Sequence, residues 1–262
     1  MKKREMLIFS PFVFLIFVAF ALQAHANSFS GNSSMNGILL VDKPMGWTSH
    51  GVVAKLRHHL GIRKIGHAGT LDPMATGLLV LLIGNGTKIS QYVTNQDKTY
   101  DGKFYLGQET DSYDGEGEVV ATHEVRVSEE EIRRCARQFL GDQLQLPPMF
   151  SAKKINGQPL YKLARRGGTI EREPRPTKIY EFSIHEIALP YVAFTVACSK
   201  GTYVRTLAHD MGQKLGCGAY LSQLRRTKVG NFQVDQAPAL DRLLAMEYGE
   251  IERCLLAITD IL

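Results

Sequence analysis

The sequence predicts an α+β fold, a mixed and largely antiparallel central sheet flanked by helices. Three observations carry that prediction. Stretches with strand periodicity, such as Tyr100, Gly102 and Phe104 set against polar neighbours, follow one another with short turns between them. Capped helical stretches are interleaved with them irregularly, not in strict βαβ alternation. The chain has 262 residues, 44% hydrophobic and 22% charged, enough apolar material for a packed core and unlike a disordered chain.

Taken in order, residues 1–34 differ from the rest. A basic "MKKRE" precedes a sixteen-residue apolar run, Leu7 to Leu22, and an A-x-A site ends at Ala26. This has the form of a secretory signal peptide or, less well, a short membrane anchor. At Met35 the chain looks like a fresh start, so the alternative is initiation there. Gly37 to Pro44 reads as a buried strand ended by proline. Ser49 is a candidate N-cap for a helix that Gly61 closes. Residues 64–79, "KIGHAGTLDPMATGLL", read as a loop, and "GLLVLLIGNG" as strand or helix. Residues 98–107 predict a half-buried strand, and "DSYDGEGEVV" a turn leading to another. Ser128 and Glu131 form a capping box for a helix. A proline-stiffened loop then leads to a basic helical patch around Lys162, Arg165 and Arg166. "IYEFSIHEIAL" and "YVAFTVACS" predict strands. "GTYVRTLAHDMGQKLG" predicts an amphipathic helix capped by Thr202 or the loop before it. "AYLSQLRRTKVGNF" suggests a short helix and a basic strand, and "PALDRLLAMEYG" a final helix.

The net charge is +5, and +3 without the first 34 residues, which permits a polyanionic partner without demanding one. Cys135, Cys198, Cys217 and Cys254 are widely spaced and suit buried thiols better than a disulfide framework. No His/Cys/Asp cluster has metal-ligand spacing, no P-loop or nucleophile elbow appears, and no metal is expected.

One acid stands out. Asp72 is held between Leu71 and Pro73, and the proline pushes its backbone toward extended geometry. Gly66, Gly69 and Gly77 around it permit close approach by a ligand. Arg205 could pair with this carboxylate, keep it ionised and lower its pKa. Tyr100 offers a flat ring for stacking on a base. His67 could stack on or bond a ligand, and Lys88 could meet phosphate. Each of these residues also has an ordinary structural reading, as turn, surface ion pair or core ring.

"GHAGTLDPMATGLL" resembles the catalytic motif of the TruB-type pseudouridine synthases, which modify uridine 55 in the T loop of tRNA. "GILLVDKPMGWTSH", "KTYDGKFYLGQETDSYDGEG", "QLPPMFSAKKINGQPLYKLARRG", "CSKGTYVRTLAHDMGQKLGCGAYLSQLRRTKVGNF" and "LLAITDIL" resemble the family's blocks in order, from about Gly37 to the last residue. The resemblance implies the pseudouridine synthase fold over residues 35–262. It implies Asp72 as catalytic aspartate, with His67, Tyr100, Tyr203 and Leu224 lining the substrate pocket. Arg205 would pair with the aspartate, and Lys88 would lie beside the site. The expected reaction is isomerisation of uridine to pseudouridine by base flipping, glycosidic cleavage and reattachment through C5. It needs no cofactor, and tRNA through its T arm is the expected partner, with no obligate protein partner.

Three departures accompany the resemblance. Phe150 stands where the family usually has tyrosine. A small C-terminal module of the PUA type, common in bacterial relatives, is expected to be missing after the catalytic domain, through either a naturally short form or a truncated sequence. The leader conflicts with a cytoplasmic substrate, so initiation at Met35 and a cytoplasmic location are expected, with membrane association only if the leader is real. A non-catalytic RNA-binding module and an exported hydrolase using Asp72 are the competing functions. The basic stretches 162–166 and 225–228 are expected to contact phosphates.

Overall fold

The computed structural model describes residues 35–151, 154–155, 158–159, 163, 168 and 170–260. The leader and the basic patch at Lys162, Arg165 and Arg166 lie outside the described residues.

Strand β1 (Gly37–Lys43) is followed by helix α1 (Ser49–Leu60), β2 (Ile65–His67) and β3 (Thr76–Ile83). The run that was ambiguous by periodicity is therefore a strand, buried over most of its length, as a central strand covered on both faces must be. A 3-10 turn over Gly84–Ile89 and α2 (Ser90–Thr94) lead into β4 (Lys98–Leu106). A hairpin of β5 (Gln108–Thr110) and β6 (Val119–Thr122), helix α3 (Glu129–Arg137) and β7 (Gly141–Gln145) come next. The Ser128–Glu131 capping box is formed. After the short pair β8 (Lys154–Ile155) and β9 (Gln158–Pro159), β10 (Arg175–Ala188) and β11 (Tyr191–Cys198) form a long hairpin. Helix α4 (Val204–Leu215), β12 (Ala219–Val229), β13 (Phe232–Gln233) and the helices α5 (Leu240–Ala245) and α6 (Tyr248–Arg253) complete the described chain.

The main sheet runs β1-β3-β12-β4-β11-β10-β7, with β2 beside β3 and β13 beside β12. Every pairing is antiparallel except one: β3 and β12 meet in parallel, Thr76 opposite Arg225 and Gly77 opposite Arg226. Helices α3 and α4 touch each other and pack on β10 and β12 respectively. Phe104, Phe182 and Phe194 from the sheet and Phe139 after α3 interlock as a ring cluster, with Phe104 stacked on Phe194 at 4.0 Å. A second apolar cluster, including Ile38, Leu40, Leu78, Val80 and Leu82, fills the β1–β3 half. These two packed halves rigidify the parallel junction between them, which is where the chemistry-bearing loop is anchored.

Two local expectations are corrected. The N-cap of α1 is Thr48, whose hydroxyl accepts from the Gly51 amide at 2.9 Å; Ser49 is buried and serves another purpose, described below. Residues 219–229 hold no helix. They form one strand with register shifts at Leu221/Gln223 and Arg226/Lys228. The first bulge lies between Leu221 and Leu224, and both residues line one cleft.

Candidate active site

A cleft of about 270 Å³ opens at the parallel junction. Its wall takes Asp72 from the loop before β3, Tyr100 from β4, Tyr203 and Arg205 from the start of α4, and Leu224 and Arg226 from β12. The pair Asp72 and Tyr100 lies more than a hundred positions before Tyr203, Arg205, Leu224 and Arg226, and the sheet order makes them neighbours. His67 and Lys88 are not among the lining residues. His67 lies in β2 opposite Leu81, and Lys88 is exposed on the 3-10 turn.

The loop carrying Asp72 is fixed from three directions. Ser49 pins Leu71: its hydroxyl donates to the Leu71 carbonyl at 3.0 Å and accepts from the Leu71 amide at 2.8 Å. Lys43, fully buried at the end of β1, donates to the carbonyls of Pro44 (2.9 Å), Trp47 (2.7 Å) and Pro73 (3.3 Å). Arg226 donates from its buried guanidinium to the carbonyls of Leu78 (2.7 Å), Gly69 (3.1 Å) and Thr70 (3.3 Å). With three of its hydrogen bonds going to carbonyls, this cation ties the loop to β3, and it forms no ion pair with Asp72.

Arg205, 6% exposed, donates to Asp72 Oδ1 at 3.3 Å, lies 3.2 Å from Asp72 Oδ2 as an ion pair, and donates to Asp114 at 3.4 Å. Asp114 is itself buried and accepts from the Ser112 hydroxyl at 2.6 Å and the Glu116 amide at 3.1 Å. Two carboxylates thus share one guanidinium. The Asp72 side chain keeps 37% of its surface, and that surface borders the cleft. Burial pushes its pKa above the ordinary carboxylate value; Arg205 opposes the shift and the Asp114 charge adds to it. The expectation of a lowered pKa is therefore corrected. The guanidinium acts in the expected direction, but desolvation of the carboxylate is the larger effect.

Tyr100 is buried, and its hydroxyl is pushed up to about 12, chiefly by burial, with the Arg226 charge opposing. Its phenol therefore stays protonated at neutral pH. Lys98, two residues earlier on the same face of β4, also lines the cleft. Burial lowers its pKa to about 8, and its ammonium donates to the carbonyls of Thr94 and Gln96. The Arg205 guanidinium lies 5.8 Å from the centre of the Tyr203 ring.

The expected phosphate role of residues 225–228 is corrected at Arg226, which is 1% exposed. Arg225 stays partly exposed and forms a two-pronged ion pair with Asp42, at 2.7 and 3.0 Å. Sequence reasoning missed Asp114, Ser49, Lys43 and Lys98. Asp114 sits in a composition typical of turns, Ser49 looks like a helix cap, and the two lysines look like ordinary surface charge. Among the described residues, no group of His, Cys, Asp and Glu could hold a metal ion, and no helix is long and apolar enough to cross a membrane.

Comparison with known proteins places this geometry. Residues 57–204 match the sequence model described as TruB family pseudouridylate synthase (N terminal domain), and residues 205–261 that of the tRNA pseudouridylate synthase B C-terminal domain. The chain is 54% identical to tRNA pseudouridine synthase B of Opitutus terrae over 86% of its length and 93% of the relative's. It is 47% identical to the protein of that name from Geobacter sulfurreducens, over 87% of this chain and 76% of the other. Among solved structures it resembles a Cbf5-Nop10-Gar1 complex, with a TM-score of 0.67 and 28% identity over 85% of this chain and 60% of that one. It also resembles an H/ACA RNP bound to a substrate RNA containing 2'-deoxyuridine, with a TM-score of 0.63 and 27% identity over 86% of this chain and 59% of that one. The chain thus spans about three fifths of those solved chains.

Proposed function

The chain belongs to the TruB family of pseudouridylate synthases, and we propose that it isomerises uridine to pseudouridine in tRNA, at position 55 of the T loop, with Asp72 as the catalytic group. The observation that carries this reading is the Asp72 carboxylate, which borders a cleft in the grip of Arg205, with Tyr100 and Tyr203 on the same wall.

The chemistry follows from that arrangement. A uridine inside a folded loop must be turned out before it can react, at a cost of a few kcal/mol, least where the base is already loosely stacked. The cleft receives the base against the rings of Tyr100 and Tyr203 and the side chain of Leu224. Cleavage of the glycosidic bond builds positive charge on the sugar, and a carboxylate alongside stabilises or traps it, as in retaining glycosidases. Arg205 orients Asp72 and opposes the effect of burial on its charge. The detached uracil turns and bonds through C5, whose proton then leaves, so composition and oxidation state are unchanged and the reaction needs no cofactor. Residues 35–262 form the catalytic unit in this reading, and it acts in the cytoplasm, where its tRNA substrate is found.

The test is pseudouridine formation in an unmodified T-arm stem-loop, with the full chain and with Met35–Leu262, each beside Asp72→Asn. Product from the unaltered protein and none from the variant is the expected result. RNA binding without product from a folded unaltered protein would favour a non-catalytic RNA-binding module.

A further inference from the structure

Gln145 closes the last strand of the main sheet and makes two hydrogen bonds that no secondary structure requires. Its side-chain oxygen accepts from the Tyr203 amide at 2.7 Å, and its side-chain NH2 donates to the Tyr203 carbonyl at 3.0 Å. Only one orientation of the amide satisfies both, so its placement follows from the partners. The side chain imitates the next strand, pairing both main-chain groups of one residue as an antiparallel neighbour would. Gln145 is 7% exposed and does not line the cleft.

The clamp falls where the chain would otherwise be loosely held. Helix α4 has no side-chain cap, and Tyr203 occupies its cap position in extended geometry. The Tyr203 carbonyl accepts from the Leu207 amide at 3.1 Å as well, so both of its lone pairs are used. Fixing this residue's amide and carbonyl fixes the direction in which its ring leaves the backbone. That ring is on the cleft wall, and Arg205 follows two residues later.

We propose that Gln145 is a positioning residue: it holds Tyr203 so that the ring is in place before the base arrives. The proposal rests on the reading of the cleft as the uridine site. Placement of a ring that meets the base only after flipping affects the reacting complex and leaves overall RNA affinity alone.

The experiment uses the full chain, an unmodified T-arm stem-loop and single-turnover rates. Gln145→Leu is expected to slow turnover roughly 10- to 100-fold, the effect of one or two buried hydrogen bonds, with Kd for the RNA within about twofold. In a Tyr203→Ala background the same change should cost less than about threefold, because the ring it serves is gone. Gln145→Glu keeps the acceptor and loses the donor; its rate relative to the unaltered protein should recover as pH falls and the carboxyl regains a proton to donate. Hydrogen exchange at the Tyr203 amide should be faster in Gln145→Leu, which reads the clamp without reference to activity. Equal losses in both backgrounds, an unchanged rate, or an unchanged Tyr203 exchange rate would overturn the proposal alone. Absence of pseudouridine with the unaltered chain would overturn the isomerase reading and this proposal with it.

Discussion

Gly77 lets the backbone of Arg226 come so close that a methyl group on Gly77 would lie 2.3 Å from the Arg226 carbonyl oxygen and 2.8 Å from its amide nitrogen. Gly77 also has φ of +97°, a conformation that costs any other residue. This contact is the parallel junction of β3 and β12, and Arg226 holds the Asp72 loop from it. Gly77→Ala is expected to destabilise the protein by about 3 kcal/mol or more, read from urea unfolding. Arg226→Lys keeps the charge but loses the planar fork that reaches three carbonyls. It is expected to lower kcat by roughly 100-fold through displacement of the Asp72 loop. A Gly77→Ala protein as stable as its parent would show that the two strands separate easily.

Asp114 is expected to act on the reaction through charge. It raises the pKa of Asp72 and shares Arg205 with it. Asp114→Asn leaves Arg205 paired with Asp72 alone, so the Asp72 carboxylate is held more tightly and becomes harder to protonate. The acid limb of the pH–rate profile should shift to lower pH, and the rate at pH 7 should fall by about tenfold or more. A profile that keeps its acid limb would remove Asp114 from the network.

How much of this was legible in the sequence depended on whether a residue's partners are local. Asp72 announced itself through its own neighbours, a following proline and nearby glycines. The capping box at Ser128 is likewise confined to one turn, and it formed. Asp114 and Ser49 act on residues 91 and 22 positions away, Arg205 and Leu71, and each has a credible local role that hides the distant one. The run Arg225, Arg226 looks like a solvated basic stripe because its neutralising carboxylate and carbonyls lie on β1, on β3 and in the Asp72 loop. The short helix expected in "AYLSQLRRTKVGNF" is a strand with two register shifts, set by pairing with β4 and so not written in the segment itself. The sign of the Asp72 shift depended on how far the distant segments around the cleft desolvate the carboxylate, which no local pattern reports.

Lys43 and Lys98 predict an unusual alkaline response. Burial lowers both from 10.5 to about 8, so above pH 8 the folded protein releases protons that the unfolded chain still binds. Stability therefore rises with pH in this range, by up to about 1.4 kcal/mol per unit for each lysine. Buried thiols reverse the trend: Cys198 is pushed up to about 11, so above the ordinary thiol value of 9.0 the unfolded chain ionises first. Urea midpoints should climb between pH 8 and 9 and then flatten. Lys43→Met should weaken the climb while lowering stability at pH 7, where three carbonyls lose their donor.

Asp72 itself should be a residue whose removal stabilises the fold while abolishing activity. Its pKa is raised above 3.8 in the folded protein. A carboxyl of that kind contributes stability that is fully present below its unfolded pKa and is lost as pH rises through the folded value. At pH 7, well above the unfolded value, Asp72 is thus a net cost to folding, and the function of the site is what justifies it. Asp72→Asn removes that cost, and Arg205 retains Asp114 as a partner. The variant should lose at least about a thousandfold in activity. Its urea midpoint should be higher than its parent's at pH 7 and equal to it at pH 3, where the parent's carboxyl is already protonated. A lower midpoint at pH 7 would mean that the Arg205 pairing outweighs the burial, and that the acid limb of the reaction belongs to another group.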